Sequence, residues 1–411
     1  MVDTALVFFI AAAIMIVGFL ANILFRSTGW PEILFLIFIG ILLGPVLKLF
    51  SQSDFLPVLP LISTFTLVMV LFRGGMELDL YEVAARSLRS LFQTIAYFTG
   101  GLLLIALFTH FVLGWQLIDG LLLGSMISQT GEVVVIPLVK KLGLQDQSAT
   151  LLSIESVVSS IVCIVFFFAF LATKLSGTFT PMSIATSIIM EFGVGIAVGA
   201  IMAVPWLRVL ATLEKNDLVY IATLGYVLAC YAVATALGGS GALAILAFGV
   251  ILGNDRQVLR ILRMKRFASS LSEAKNYLMR FQTELSFVLR TFFFVLLGLI
   301  YDATQSGLII GLSIGLPIVA LLLTARFVAV SASTWRSPMA SEKKTIIGMC
   351  PLGLTPALLS FIVLQYNFPD GYLFPLIVTT AIITTNIIAS VTAFVSKRSK
   401  SRKREIQVSP L

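Results

Sequence analysis

Two glutamates dominate the chemistry available to this chain, because each lies inside an apolar segment that otherwise carries no charge. Glu132 follows Gly131 in the stretch 121–137, Leu-Leu-Leu-Gly-Ser-Met-Ile-Ser-Gln-Thr-Gly-Glu-Val-Val-Val-Ile-Pro. Glu155 lies within 151–165, Leu-Leu-Ser-Ile-Glu-Ser-Val-Val-Ser-Ser-Ile-Val-Cys-Ile-Val, well inside an expected helix. An ionisable group at bilayer depth costs on the order of 2.5–3.5 kcal/mol on insertion scales, so it is paired or lines a polar pathway. The chemistry to look for is therefore ion or proton binding, or the pairing of a buried cationic side chain.

The elements that must position these residues are membrane helices. Of the 411 residues, 58% are hydrophobic and 12% charged, and the mean hydropathy is +1.03; soluble domains carry about 25% charged residues. Apolar runs long enough to cross a bilayer recur throughout. They predict about thirteen spans, at 4–25, 31–50, 57–76, 88–113, 117–139, 147–173, 180–206, 217–237, 240–254, 282–301, 306–332, 345–366 and 371–396. No hydrophilic stretch is large enough for a separate soluble domain. The first run is too long for a signal-peptide core and lacks a basic n-region, so it is expected to remain as the first span. The fold class is all-α and polytopic.

Basic residues alternate sharply between loops. Arg26, Arg86, Arg89, Lys140, Lys141, Arg208, Lys215, the loop from Arg256 to Lys275, Arg336, Lys343 and Lys344 fall on the side of the C-terminal tail. The tail adds Lys397, Arg398, Lys400, Arg402, Lys403 and Arg404, whereas only Lys48 and Lys174 fall on the other side. The positive-inside rule then predicts a cell-membrane protein with its N-terminus outside and C-terminus cytoplasmic. It also accounts for the net charge of +8: the basic loops meet anionic membrane lipid, and no nucleic-acid partner is expected. Trp30, Trp115, Trp206 and Trp335 fall at or near span ends, as an interfacial belt predicts. Cys163, Cys230 and Cys350 show no ligand spacing, and His110 reads as an interfacial residue, so neither a disulfide, a metal site nor a cofactor is expected. The chain shows no nucleophile, metal cluster or phosphate loop, and an enzyme is not expected.

Two expected spans are interrupted centrally. The fifth carries Gln129, Thr130, Gly131 and Glu132; the twelfth carries Pro351, Leu352, Gly353, Leu354, Thr355 and Pro356. Their offset of seven spans is odd, so the two halves would cross in opposite directions, as an inverted repeat. Interrupted helices at matching positions of such a repeat point to a secondary transporter's binding site. Ordinary Gly/Pro kinks are the competing explanation.

Residues 127–144, Ile-Ser-Gln-Thr-Gly-Glu-Val-Val-Val-Ile-Pro-Leu-Val-Lys-Lys-Leu-Gly-Leu, and 149–160, Ala-Thr-Leu-Leu-Ser-Ile-Glu-Ser-Val-Val-Ser-Ser, resemble the sodium/proton exchangers of the cation:proton antiporter superfamily. Residues 72–79 (Phe-Arg-Gly-Gly-Met-Glu-Leu-Asp), 284–290, 294–298 and 324–326 are also similar to that family. The resemblance implies one transmembrane domain over 1–396, followed by a basic cytoplasmic tail at 397–411. It implies a homodimer in which a scaffold near 1–80 and 215–300 holds a mobile core near 88–173 and 306–396. The interrupted helices would cross beside the ion site, and Glu155 and Arg326 would form an ion pair within the core. The chain also departs from the family. Thr130-Gly131-Glu132 stands where Thr-Asp-Pro is usual, Ser159-Ser160 where Asn-Asp is usual, and Leu352 where many exchangers carry arginine. It resembles a divergent member lacking the usual ion-binding aspartate.

Glu132 is then the candidate carrier. A carboxylate beside a helix break can join backbone carbonyls, Thr130, Ser159 and Ser160 in replacing part of a small cation's water shell. Desolvation disfavours the charged carboxylate, so protons and cations compete for it. A structural glutamate capping the second half-helix would suit the same position. For Arg290 the sequence offers Glu284 or Glu191 as an acidic neighbour. The resulting expectation is exchange of a monovalent cation, Na+ or K+, for H+, with no metal beyond that cation. A transport-inactive sensor and an anion or organic-solute carrier of the same fold stay open at this stage.

The charge pattern generates a topology test. A cysteine replacing Lys400 should react with an impermeant thiol reagent only after the cytoplasmic face is opened. A cysteine replacing Gln305 should react from outside intact cells. Labelling of both from one side would exclude the expected topology.

Overall fold

The computed structural model describes residues 4–49, 59–78, 88–177, 180–212, 218–261, 271–301, 305–366 and 368–408. Asp79, Arg86 and Lys215 lie outside the described residues. The regular elements are all helical: Thr4–Thr28 (α1), Glu32–Ile41 (α2), Leu59–Glu77 (α3), Leu88–Leu113 (α4), Leu117–Ile127 (α5) and Glu132–Leu142 (α6). Then come Asp146–Ser176 (α7), Pro181–Thr212 (α8), Val219–Ala236 (α9), Gly241–Gly253 (α10), Asp255–Ile261 (α11) and Leu271–Ile300 (α12). Gln305–Ser333 (α13), Lys343–Gly348 (α14), Leu354–Leu364 (α15) and Leu373–Val408 (α16) complete the chain.

Local sequence sets the ends of these helices. Gly29, at φ +89°, follows α1, and Pro31 occupies the N-cap of α2. Pro45 sits in the π-helical turn Leu42–Val46 that extends α2. Gly143 ends α6 in the left-handed region, at φ 53°. The basic tail is not a separate element, because α16 continues through Lys397 to Val408.

The expectation of thirteen full-length spans is corrected. Among the described residues, nine helices are long and apolar enough to cross a membrane. Three further apolar segments, Glu32–Val46, Gly241–Gly253 and Leu354–Leu364, are shorter, and Ala11–Phe25 is part of the 25-residue α1. One of these, α15, is only the second half of an interrupted span.

The chain divides into two compact units, 1–60 with 88–163 and 290–411, and 61–87 with 164–289. In the first, α2 and the end of α12 meet backbone to backbone. A Cβ on Gly40 would collide with the Val295 carbonyl, and one on Gly298 with the Ile37 carbonyl. Small residues permit this close approach in membrane helices, where packing rather than water exclusion drives association. The same contact brings Arg290 to Glu32, not to Glu284 or Glu191, both of which belong to the other unit. Arg290 Nη2 lies 2.5 Å from Glu32 Oε1, and Asn22 Nδ2 donates to Glu32 Oε2 at 2.7 Å. Nearness in sequence and membrane depth are poor guides to this partner, because Glu32 begins a helix far back in the chain.

In the second unit, α10 packs through glycines as well. Gly249 and Gly253 would clash with the Phe72 and Met76 carbonyls of α3 if they carried a Cβ, and Gly199 of α8 approaches the Ala244 backbone. Helix α16 of the first unit has another character. Thr379, Thr380, Thr384, Thr385, Asn386 and Ser390 each donate back to the carbonyl four residues earlier.

The glycine contacts differ from place to place, which makes them testable. Gly40→Ala should cost about 1–3 kcal/mol through overpacking, read as a lower unfolding temperature in detergent. A Cβ on Gly225 of α9 would meet nothing within 4 Å, so Gly225→Ala should leave that temperature unchanged or raise it. Equal loss from both would show that backbone contact at Gly40 is unimportant.

Candidate ion site at the crossing of two interrupted helices

Helix α5 stops at Ile127 and α6 starts at Glu132; α14 stops at Gly348 and α15 starts at Leu354. The two unwound segments meet. Gly131 N donates to Pro351 O at 2.6 Å. A Cβ on Gly131 would stand 2.6 Å from Gly353 N and 2.7 Å from Gly353 Cα. Gly131 has ordinary extended dihedrals, φ −81° and ψ 114°, so glycine is needed here for space rather than for conformation. This bears on one departure from the exchanger pattern: where that family usually has an aspartate, the crossing here leaves no room for a side chain. Pro351 and Gly353 lie in the second interruption, whereas Pro356 sits in the first turn of α15, where proline is tolerated.

The polar groups around the first interruption come from α7. Ser159 Oγ accepts from Thr130 N at 3.2 Å, and Ser160 Oγ lies 3.1 Å from Glu132 Oε2. Thr130, Ser159 and Ser160 are buried, while Glu132 is only partly so. The structure therefore brings together all four residues of the candidate ion site. Ser160 Oγ is also 3.1 Å from Ser156 O, yet a hydroxyl carries a single hydrogen. It can donate to a charged Glu132, or turn to Ser156 O and accept from a protonated one. Both protonation states of the carboxylate are thus accommodated without moving heavy atoms. Glu132 also occupies the first turn of α6, where the helix dipole favours negative charge, so carrier and cap are compatible roles.

Glu155 and Arg326 meet one turn earlier along α7. Arg326 Nη1 donates to Glu155 Oε1 at 2.5 Å, and both side chains are fully buried. The guanidinium also donates to the carbonyls of Ile346, Ile347 and Met349, at 2.7–3.2 Å. These carbonyls end α14, so Arg326 serves as a side-chain cap as well as an ion-pair partner. Gln93 Nε2 donates to Glu155 Oε2 at 2.6 Å, Ser333 Oγ donates to Gln93 Oε1 at 2.5 Å, and Arg326 Cζ lies 5.1 Å from the Tyr97 ring centroid. Glu155 has both oxygens engaged in a closed network, in contrast to the accessible Glu132.

Several contributors do not stand out in the sequence. Gln93, Tyr97 and Ser333 complete the Glu155 network, and Thr385 with Asn386 holds the second interruption. Leu352 N donates to Thr385 Oγ1 at 3.1 Å, and Asn386 Nδ2 donates to Leu352 O at 2.9 Å. Gln93 and Asn386 are visible as amides within apolar runs, a weaker form of the signal that singles out the two carboxylates.

The Glu155–Arg326 contact predicts strong coupling. Arg326→Ala and Glu155→Ala should each destabilise the protein by about 3–5 kcal/mol by leaving an uncompensated buried charge. The double variant should lose clearly less than the sum, measured as detergent unfolding temperatures. Strict additivity would mean that the two side chains do not interact.

Comparison with known proteins identifies the family and the fold. The family described as Sodium/hydrogen exchanger, transmembrane, matches residues 10–398. The K(+)/H(+) antiporter NhaP2 of Shewanella baltica is 30% identical over 260 residues, 60% of this chain and 43% of that protein. The Na(+)/H(+) antiporter NhaP of Pseudomonas aeruginosa is 25% identical over 262 residues, 61% of this chain and 58% of that protein. The chain spans about half the length of the curated relatives it matches. The solved structure of the sodium proton antiporter MjNhaP1 from Methanocaldococcus jannaschii shares the fold, with a TM-score of 0.78 at 20% identity over 95% of this chain and 100% of that one. With a family match that runs through both interruptions and all the residues around them, this multi-pass membrane protein belongs to the sodium/hydrogen exchanger family, a family of transporters rather than enzymes.

Proposed function

We propose that this chain exchanges a monovalent alkali cation, Na+ or K+, for a proton, one for one, with Glu132 as the carrier. The observation that carries the reading is the contact between Glu132 and Ser160 beside the crossing, where a partly accessible carboxylate meets the hydroxyl of a buried serine, with buried Thr130 and Ser159 paired at the same interruption. Cation binding requires the charged carboxylate, with Thr130, Ser159 and Ser160 supplying neutral oxygens. Proton binding neutralises the same carboxylate, and the Ser160 hydroxyl reverses its donation. The two ligands therefore exclude one another, which is the requirement for exchange. Glu155 is neutralised by Arg326 and stays outside the cycle, so each turn moves no net charge.

The remaining architecture follows the family reading. The helices among the described residues that are long and apolar enough to cross a membrane are arranged as an inverted repeat, with the N-terminus outside and the C-terminus in the cytoplasm. The protein works as a homodimer, its scaffold near 1–80 and 215–300 and its moving core near 88–173 and 306–396. The basic cytoplasmic loops and the 397–411 tail contact anionic lipid.

Purified protein in liposomes containing a pH dye, challenged with Na+, K+ or Li+, tests the function. The parent should show cation-dependent proton flux. Glu132→Gln preserves shape but removes the titratable charge, and should abolish that flux while leaving folding intact; Glu132→Asp should retain part of it with altered cation affinity. Parental flux in Glu132→Gln would transfer the carrier role elsewhere. Absence of parental flux with every alkali cation would refute cation exchange.

A further inference from the structure

Among the described residues, the buried side-chain atoms at the two interruptions that lack a hydrogen-bond partner are all oxygens: Ser128 Oγ, Gln129 Oε1, Thr130 Oγ1 and Asn386 Oδ1. The two amides show why. Gln129 Nε2 donates to Met126 O at 2.9 Å, and Asn386 Nδ2 donates to Leu352 O at 2.9 Å and Ile382 O at 2.8 Å. In both cases the nitrogen faces backbone carbonyls, which fixes the orientation of the amide, because the reverse would set oxygen against oxygen. The carbonyl oxygen is left over. A fully buried acceptor with no donor is destabilising, and here it recurs on the residues that flank one place.

Asn386 is informative because its nitrogen alone suffices to hold Leu352 O. The neighbouring Leu352 N is held by a simple hydroxyl, that of Thr385. An amide at 386 therefore brings an oxygen that the backbone clamp does not use. Its location is anchored: the nitrogen is 2.9 Å from Leu352 O, and the Leu352 carbonyl carbon lies 3.2 Å from the Cβ position of Gly131, which immediately precedes Glu132.

We infer that Asn386 Oδ1 is a neutral, specificity-determining ligand for a partly dehydrated alkali cation held by Glu132. The inference rests on the cation-exchange reading above and extends its site to α16. An amide oxygen carries partial negative charge without a titratable proton. It adds coordination for a cation, gives nothing to an anion, and leaves the number of exchanged protons set by Glu132. A site with one carboxylate and several neutral oxygens holds a single positive charge, and withdrawing one oxygen weakens binding of a large cation more than of a small one, which needs fewer ligands.

The test is cation-dependent thermal stabilisation of the purified full chain in detergent, titrated with NaCl, KCl and LiCl against choline chloride, alongside the liposome assay. Asn386→Ala should raise the half-saturating cation concentration about tenfold or more, with a larger rise for K+ than for Li+. Gly40→Ala, which crowds the α2–α12 contact and touches neither interruption, should lower the baseline unfolding temperature yet keep the parental half-saturation. Should Asn386→Ala fail to fold, Asn386→Leu, close to the amide in size and without a side-chain oxygen, should show the same weakened binding. Parental half-saturation in the folded Asn386 variants would overturn this inference and leave the Glu132 reading standing. A parent neither stabilised by any of the cations nor active in liposomes would overturn both.

Discussion

Everything at the centre of this protein depends on satisfying backbone groups where two membrane helices come undone. In the hydrocarbon region an unpaired N–H or C=O has no water to turn to. Here the two interruptions share one bond, from Gly131 to Pro351, and neighbouring helices supply the rest: Ser159 receives Thr130 N, Thr385 and Asn386 hold both backbone groups of Leu352, and Arg326 gathers the carbonyls at the end of α14. The crossing can be this tight only because Gly131 and Gly353 bring no side chains to it.

Charge is distributed with similar economy. Among its described residues, the unit that contains the crossing holds two buried acid–base pairs, Glu155 with Arg326 and Glu32 with Arg290. Each arginine pairs with an acid from a distant part of the chain, and in each an amide, Gln93 or Asn22, occupies the second carboxylate oxygen. Buried ion pairs are poor sources of net stability but costly to break. Their value here is registration: Glu155 fixes α7, whose next turn delivers Ser159 and Ser160 to the first interruption, while its partner Arg326 fixes the second.

Much of this was legible in the sequence for physical reasons. Long apolar runs and their bounding glycines, prolines and polar residues located the helices closely, because membrane depth imposes both length and polarity. The interruptions were legible as Gly131 and the Pro351–Gly353 region, and Glu132, Thr130, Ser159 and Ser160 do converge. What escaped was whatever required knowing tertiary neighbours. Arg290 finds Glu32, distant in sequence, through a glycine contact that no local pattern announces. Segment length also misled: composition cannot distinguish an 11-residue half-helix such as α15 from part of a full span. Neutral polar residues were undervalued because hydropathy sums barely register one asparagine among isoleucines and threonines.

The back-bonded hydroxyls of α16 bear on how that helix deforms. At 36 residues it is the longest described, and side chains that share the carbonyls of the preceding turn soften a helix and favour bending. They cluster between Thr379 and Ser390, around the pair that grips Leu352. The most compliant part of the rod thus coincides with its grip on the unwound chain. Any curvature developed there would bear directly on Leu352 through those two side chains.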